Sequence, residues 1–247
     1  MTTHYGHFCL AARALETVGE RWSLLIVRDL LDGPRRFGDL QRLLTNVTPK
    51  WLTIRLRRLE HAGIVERHQQ PGRREVWYEL TAKGRDLAPV LEALLAWGLK
   101  YERHPLAPDE TVHPEHLIAG IEVALNEVAP KPARQPVWRF GFSEPKRSFT
   151  LAFDGERWSL VEDGRRPDVV VDTTAGALAS FVTKPPARRR LPSRDIRLSG
   201  DAARVAELID VFRATPASRL AQVDRDQAAP PGRRDHGRPQ GARDRGR

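Results

Sequence analysis

The 247-residue sequence predicts an α+β chain of two units, and three observations predict it. Up to about residue 102, helical apolar stripes surround a single pair of strand-like runs. Beyond about residue 115, several strand-like runs are gathered between helices. Between them, 103–114 carries three prolines and mixed charge and reads as a linker. The expected organisation is therefore 1–102, a linker over 103–114, a second unit over 115–223, and a tail over 224–247. The tail is Arg, Gly, Pro, Asp and Gln with almost nothing apolar, so it is expected to be disordered.

The first unit opens with two expected helices, Phe8 to Val18 and Trp22 to Leu31. The second is apolar along Trp22, Leu25, Ile26 and Leu30, which suits a core helix, with Trp22 as a packing residue and Arg21 within reach of a phosphate. FGDLQRLL, from Phe37 to Leu44, predicts a third helix. A fourth follows from Thr48 as N-cap and Pro49 at the first helical position. In it Leu52, Leu56 and Leu59 form one apolar stripe. The opposite arc carries Lys50, Ile54, Arg57 and Arg58, flanked by Trp51 and Arg55. Gly63 closes this helix and Ile64 and Val65 begin a strand. A hairpin follows with Pro71-Gly72 at its turn and Arg67, Arg73 and Arg74 on or near it. Ala82 to Tyr101 predicts one long helix whose apolar surface is broader than a small domain needs, as suits a surface shared in a homodimer.

A helix with an apolar back and a basic front, followed by a basic hairpin, is the layout of a winged helix-turn-helix. That layout sends the helix into the major groove of double-stranded DNA and the wing onto the backbone or minor groove. Arg21, Arg73 and Arg74 are candidate phosphate contacts, which give affinity without sequence information. Lys50, Trp51, Ile54 and Arg55 are candidates for base edges or thymine methyls, and one bidentate Arg–guanine pair gives about 1–3 kcal/mol of discrimination. Trp51 has a second role open to it, packing on the preceding helix. Thr48, Thr53 and Arg58 complete the candidate DNA-binding set.

Residues Cys9 to about Trp97 resemble the HxlR-type winged-helix regulators. The resemblance is carried by Cys9-Leu10-Ala11, by Gly19-Glu20-Arg21-Trp22-Ser23-Leu24-Leu25-Ile26, and by Arg28-Asp29-Leu30-Leu31-Asp32-Gly33. Arg36-Phe37-Gly38-Asp39-Leu40, the run from Leu52 to Val65, and Tyr78-Glu79-Leu80-Thr81-Ala82-Lys83-Gly84 complete it. It implies a homodimeric bacterial transcription regulator, joined through the terminal helices of the domain. Pairing two such domains predicts a pseudo-palindromic operator. The resemblance also gives Cys9 a possible redox-sensing role. As the single cysteine of the chain, it could act only through an intersubunit or mixed disulfide. The alternative for Cys9 is a small buried hydrophobe.

In the second unit a helix is expected over His116 to Val128. Strands are expected over Val137–Phe142, Ser148–Phe153, Arg157–Val161 and Asp168–Asp172, with Asp154-Gly155 as a hairpin turn. A helix over Thr174–Val182, a strand over Ile196–Ser199 and a helix over Ala202–Phe212 complete a mainly antiparallel α+β unit. The runs Pro167-Asp168-Val169-Val170-Val171-Asp172 and Ile196-Arg197-Leu198-Ser199-Gly200-Asp201 resemble the carboxy-terminal part of sterol-carrier-protein-type lipid-binding domains. That resemblance implies a hydrophobic small-molecule effector, with Phe149, Leu151, Trp158, Leu160, Leu178, Phe181, Leu208 and Phe212 as candidate ligand-binding residues. Each of these also suits an ordinary core. The basic stretch from Lys184 to Arg194 departs from that pattern and reads as a lid, a contact for an acidic head group, or a solvated loop.

The net charge of +9 agrees with an anionic partner without locating it. No apolar run approaches the roughly 20 residues of a membrane span, and no secretory signal is visible, so a cytoplasmic protein is expected. No phosphate loop, nucleophile elbow or HExxH helix appears, so neither an enzyme nor a cofactor is expected. No metal site is expected from His4, His7 and Cys9, and His113 and His116 read as surface residues.

Overall fold

The computed structural model describes residues 4–69, 75–102, 104–127, 129, 131–162 and 164–214. Its first part runs α1 (Leu10–Val18), α2 (Ser23–Leu31), β1 (Arg35–Arg36), α3 (Phe37–Leu43) and α4 (Pro49–His61). It continues through β2 (Val65–Gln69), β3 (Val76–Leu80), α5 (Ala82–Arg85) and α6 (Ala88–Tyr101). The strands form an antiparallel sheet in the order β1-β3-β2, with Val65 opposite Leu80 and Arg35 opposite Tyr78. This is a winged helix-turn-helix. Ile26, Leu30, Leu40, Leu52, Leu56, Leu59, Ile64 and Leu80 make its core.

Local chemistry sets the boundaries. Thr48 caps α4, its hydroxyl accepting from the Trp51 N–H at 3.4 Å, and Pro49 follows at the first position, where no N–H is needed. Gly63, at φ +67°, turns the chain out of α4, and the Thr81 hydroxyl donates to its carbonyl at 2.7 Å. Helix α1 starts at Leu10 and not at Phe8, and two further differences have a visible local cause. Trp22 lies outside α2 at φ +78°, with the Arg21 guanidinium 5.0 Å over its ring. The single helix expected over Ala82–Tyr101 is two helices. Pro89 has no N–H to return to the Arg85 carbonyl, so the ladder breaks there and restarts at Ala88.

The second part runs α7 (Pro114–Glu127), β4 (Val137–Ser143), β5 (Lys146–Phe153), β6 (Trp158–Val161) and β7 (Val169–Thr173). Then come α8 (Ala175–Thr183), a short 3-10 turn over Pro186–Arg188, β8 (Ile196–Gly200) and α9 (Ala202–Ala214). The sheet order is β6-β5-β4-β7-β8, antiparallel except for the β4–β7 pair. On β4, Trp138, Phe140 and Phe142 are buried while Arg139 and Gly141 alternate to the opposite face. The buried row meets Leu151, Trp158, Leu178, Phe181, Leu208 and Phe212 in a second core. At the β5–β6 turn the Asp154 carboxylate accepts the N–H groups of Glu156 and Arg157 at 2.8 and 2.9 Å, and Gly155 takes φ +109°. Among the described residues no helix is long and apolar enough to cross a membrane.

Helices α6 and α7 pack on one another and join the two parts. Where they meet, His116 Nε2 lies 2.7 Å from Oδ1 of Asp29, a carboxylate wholly buried in α2. His113 and His116, expected on the surface, are both half-buried because the start of α7 lies against α2 and the loop at Thr45.

Candidate nucleic-acid interface

Helix α4 buries its leucine stripe and turns its other side outward. Lys50, Trp51 and Arg57 are exposed, Trp51 at 49 %, and Thr53, Ile54 and Arg58 are half-buried between them. Lys50, Ile54 and Arg57 fall at i, i+4, i+7 on one line of the helix, with Trp51 beside it. Thr53 is committed locally, its hydroxyl donating to the Pro49 carbonyl at 2.8 Å. Arg67 extends the exposed basic surface onto β2. Arg73 and Arg74, with the Pro71-Gly72 turn, lie outside the described residues.

Arg55 points the other way from the role expected of it. It is only 8 % exposed; its Nε donates to the Arg21 carbonyl at 3.0 Å and its guanidinium pairs with Glu20. Burial, then the neighbouring Arg58 charge, pushes the Arg55 guanidinium down from its ordinary value. Glu20 also pairs with Arg58. Arg55 further lies under Trp51, 5.5 Å from the ring centroid. In this arrangement Arg55 braces α4 against the loop before α2 and props Trp51 outward, instead of reaching for a base. Glu20 was part of the sequence pattern without an assigned role; its position, facing two arginines from 35 and 38 residues away, exists only in the fold.

The remaining candidates disperse. Arg21 is exposed and stacked on Trp22. Cys9 is exposed and is the residue before α1. His4 is 2.7 Å from Glu16, away from any site shared with Cys9. Among the described residues Glu66, His68 and Glu79 bring ligand atoms within 4.8 Å of one another, on the exposed side of the wing strands. Of the eight candidate ligand-binding residues, Leu151, Trp158, Leu178, Phe181, Leu208 and Phe212 pack in the second core with Phe149 against them, while Leu160 is 48 % exposed. Only Phe212 of these lines a cavity beside α7.

Asp29 is the titratable group that sequence reading missed. Its burial favours the neutral acid. The hydrogen bond from His116 and the charge and hydrogen bond of Arg28, whose Nε is 2.9 Å away, more than offset this, and hold the carboxyl below its ordinary value. The available signal was the adjacent pair Arg28-Asp29 inside the mostly apolar run SLLIVRDLL.

The fold and the exposed face of α4 define a winged helix-turn-helix DNA-binding protein of the transcription-regulator class. Residues 17–105 match the family model described as HxlR-like helix-turn-helix. Uncharacterized HTH-type transcriptional regulators of Mycobacterium bovis and Mycobacterium tuberculosis are each 39 % identical over 134 residues, covering 49 % of this chain and 83 % of theirs. One from Synechocystis is 41 % identical over 94 residues, 38 % of this chain and 70 % of its own. The reduced form of the transcriptional regulator YodB from Bacillus subtilis is 35 % identical, covers 38 % of this chain and 95 % of that one, and superposes with a TM-score of 0.35. The chain belongs to the HxlR-like helix-turn-helix family.

Proposed function

We propose that the protein works as a homodimer that sets α4 of each copy into successive major grooves of a pseudo-palindromic operator. The second part then acts as a sterol-carrier-like module whose hydrophobic effector biases the DNA-competent geometry. The observation that carries the DNA reading is the division of α4, with three leucines in the core and Lys50, Trp51, Ile54 and Arg57 along the outer side. The dimer reading is supported by α6, an apolar helix with no buried residue. Two such helices in contact would space the recognition helices about 34–36 Å apart, one turn of DNA. The effector reading is supported by the packing of α6 on α7 and by the Asp29–His116 contact, which ties the DNA-binding part to the second part. A coupling of this kind is typically worth about 1–3 kcal/mol between effector and DNA.

Selection of bound duplexes from a random-sequence pool tests the reading. An inverted repeat with half-sites one turn apart supports it, and a single unrepeated half-site bound by one chain refutes the dimeric mode. Charge reversal at Lys50 and Arg57 should abolish enrichment while leaving the fold intact. A second reading is favoured by the exposure of Cys9: a thiol sensor in which the second part is only structural or dimerising. Diamide-induced release of the selected duplex that is lost in Cys9→Ser would establish that reading, and release that persists in Cys9→Ser would remove it.

A further inference from the structure

Helix α6 carries different residues on its two sides. Val90, Leu94, Trp97 and Tyr101 follow one another at i, i+4, i+7 and i+11 and stand exposed. Ala88, Glu92 and Leu95 lie half a turn away from that row and line a cleft of about 720 Å³ between α2, α6 and α7, with Leu94 at its rim. The row that suits a dimer contact and the cleft are therefore on opposite sides of α6, and contact along the first does not fill the second. Across the cleft, α7 presents Glu115, Ala119, Glu122 and Asn126 on one line, with Val123 beside it. Since α7 belongs to the second part, this space exists only where the two parts meet.

The floor of the cleft is apolar, made by Leu24, Leu25 and Leu31 of α2, Leu91 and Leu95 of α6, and Val123. Five carboxylates and two arginines also line it. Arg28 is committed to Asp29, while Asp32 and Glu115 have Arg35 and Arg147 at 3.5 and 3.1 Å. Among the described residues neither Glu92 nor Glu122 is in contact with a cationic side chain. Burial raises the Glu122 carboxyl above its ordinary value. The charges of Glu92 and Asp32 add to this, against Arg157 and a hydrogen bond from the Leu160 backbone. Carboxylates from the end of α2, from α6 and from α7 are thus close enough to repel one another. They gather over an apolar floor on a chain whose net charge is +9.

We propose that this cleft binds a lipophilic organic monocation, its apolar body on the leucines and its charged head between Glu92 and Glu122. Spaces of roughly 300–1,000 Å³ suit drug-sized molecules. A cation whose charge is wrapped in carbon leaves water at a smaller cost than a compact ammonium, so the carboxylates attract it with less to offset. Arg28 and His116 also line the cleft and both hold Asp29, so occupancy adjoins the contact that joins the two parts. The binding claim stands by itself, whereas a regulatory role for the ligand rests on the effector reading above.

Titration calorimetry of the full-length chain with tetraphenylphosphonium tests the site, with triphenylphosphine oxide as a neutral analogue that keeps three of the rings. The phosphonium should saturate one site per chain, and the oxide should bind about tenfold more weakly or worse. Glu92→Gln with Glu122→Gln should weaken the phosphonium by about tenfold or more and leave the oxide unchanged, a split that a mere loss of shape would not produce. This pair relieves like-charge repulsion, so its unfolding midpoint should not fall. Ala119→Trp, at an exposed position of the cleft wall, should weaken both compounds. No saturable phosphonium binding at millimolar concentration overturns the proposal, as does equal binding of the two compounds or phosphonium binding unchanged in both variants. Affinity for the pool-selected duplex separates the two claims. A phosphonium that binds the wild type and leaves duplex affinity unchanged keeps the site and overturns its regulatory role. A duplex response of equal size in wild type and the double Gln variant traces the effect to the DNA and overturns that role as well.

Discussion

Helices α4 and α6 solve opposite problems with similar lengths of chain. In α4 the leucine stripe is fully used: Leu52, Leu56 and Leu59 are at most 1 % exposed, and the outer side carries Lys50, Trp51, Ile54 and Arg57. Helix α6 is far more apolar, yet none of its residues is buried, and Val90, Leu94 and Trp97 stand in solvent with Trp97 at 53 %. One chain completes the first helix and leaves the second unfinished. The amount of apolar surface in a helix therefore says less about its role than whether that surface has a partner within the same chain.

This contrast can be broken most forcefully at Leu56. Leu56→Ala should cost about 2–5 kcal/mol, because it opens a cavity in a filled core. Urea unfolding would show it, and a loss under about 1 kcal/mol would mean that the α4 stripe does not hold the core together. The matching experiment on α6 should behave differently. Leu94→Glu with Trp97→Glu should leave the unfolding free energy of the isolated chain within about 0.5 kcal/mol. The same pair should convert a dimer to monomer in sedimentation and remove operator binding; retention of the dimer would place the interface elsewhere.

Asp29 sharpens the comparison at the join between the two parts. Its folded carboxyl sits below the ordinary value of 3.8, so it contributes stability above that pH, and this is lost as pH falls through its lower folded value. Asp32 is pushed the other way by burial. Asp29→Asn should lower stability near neutral pH by about 1–3 kcal/mol, the cost of spoiling a buried charge-assisted hydrogen bond. The gap to wild type should close under acid, and a gap independent of pH down to the acid transition would show that the charge of Asp29 does no stabilising work. The smallest effect on the fold belongs to the outer side of α4. Lys50→Ala should change stability by less than about 0.5 kcal/mol while relaxing base preference at one operator position by about 1–3 kcal/mol in the selected pool.

Much of the fold was legible in local sequence. The leucine stripe, Thr48, Pro49 and Gly63 delimit α4 by backbone chemistry that needs no tertiary partner. In the second part, alternation along β4 and the Asp154-Gly155 turn specify strands and hairpin in the same local way. The break at Pro89 was also legible, since a proline four residues after Arg85 removes a specific helical hydrogen bond, but the apolar periodicity running through it concealed the boundary.

The candidate site was less legible, for a reason visible at Arg55 and Arg189. Both occur in basic stretches that suggest solvent or DNA, and both are drawn inward by acceptors the stretch itself does not reveal: Glu20 and the Arg21 carbonyl for one, the carbonyls of Val182 and Phe212 at the ends of two helices for the other. Asp29 and His116, 87 residues apart, find each other only because α6 carries α7 back against α2. Most helices, strands and turns, and the family, were readable from chain order alone, because caps, periodicity and proline act within a few residues. Which cations face outward, which carboxylate is buried, and where space is left between helices follow from the packed fold instead. Those properties depend on electrostatics and packing between groups that the chain order keeps far apart.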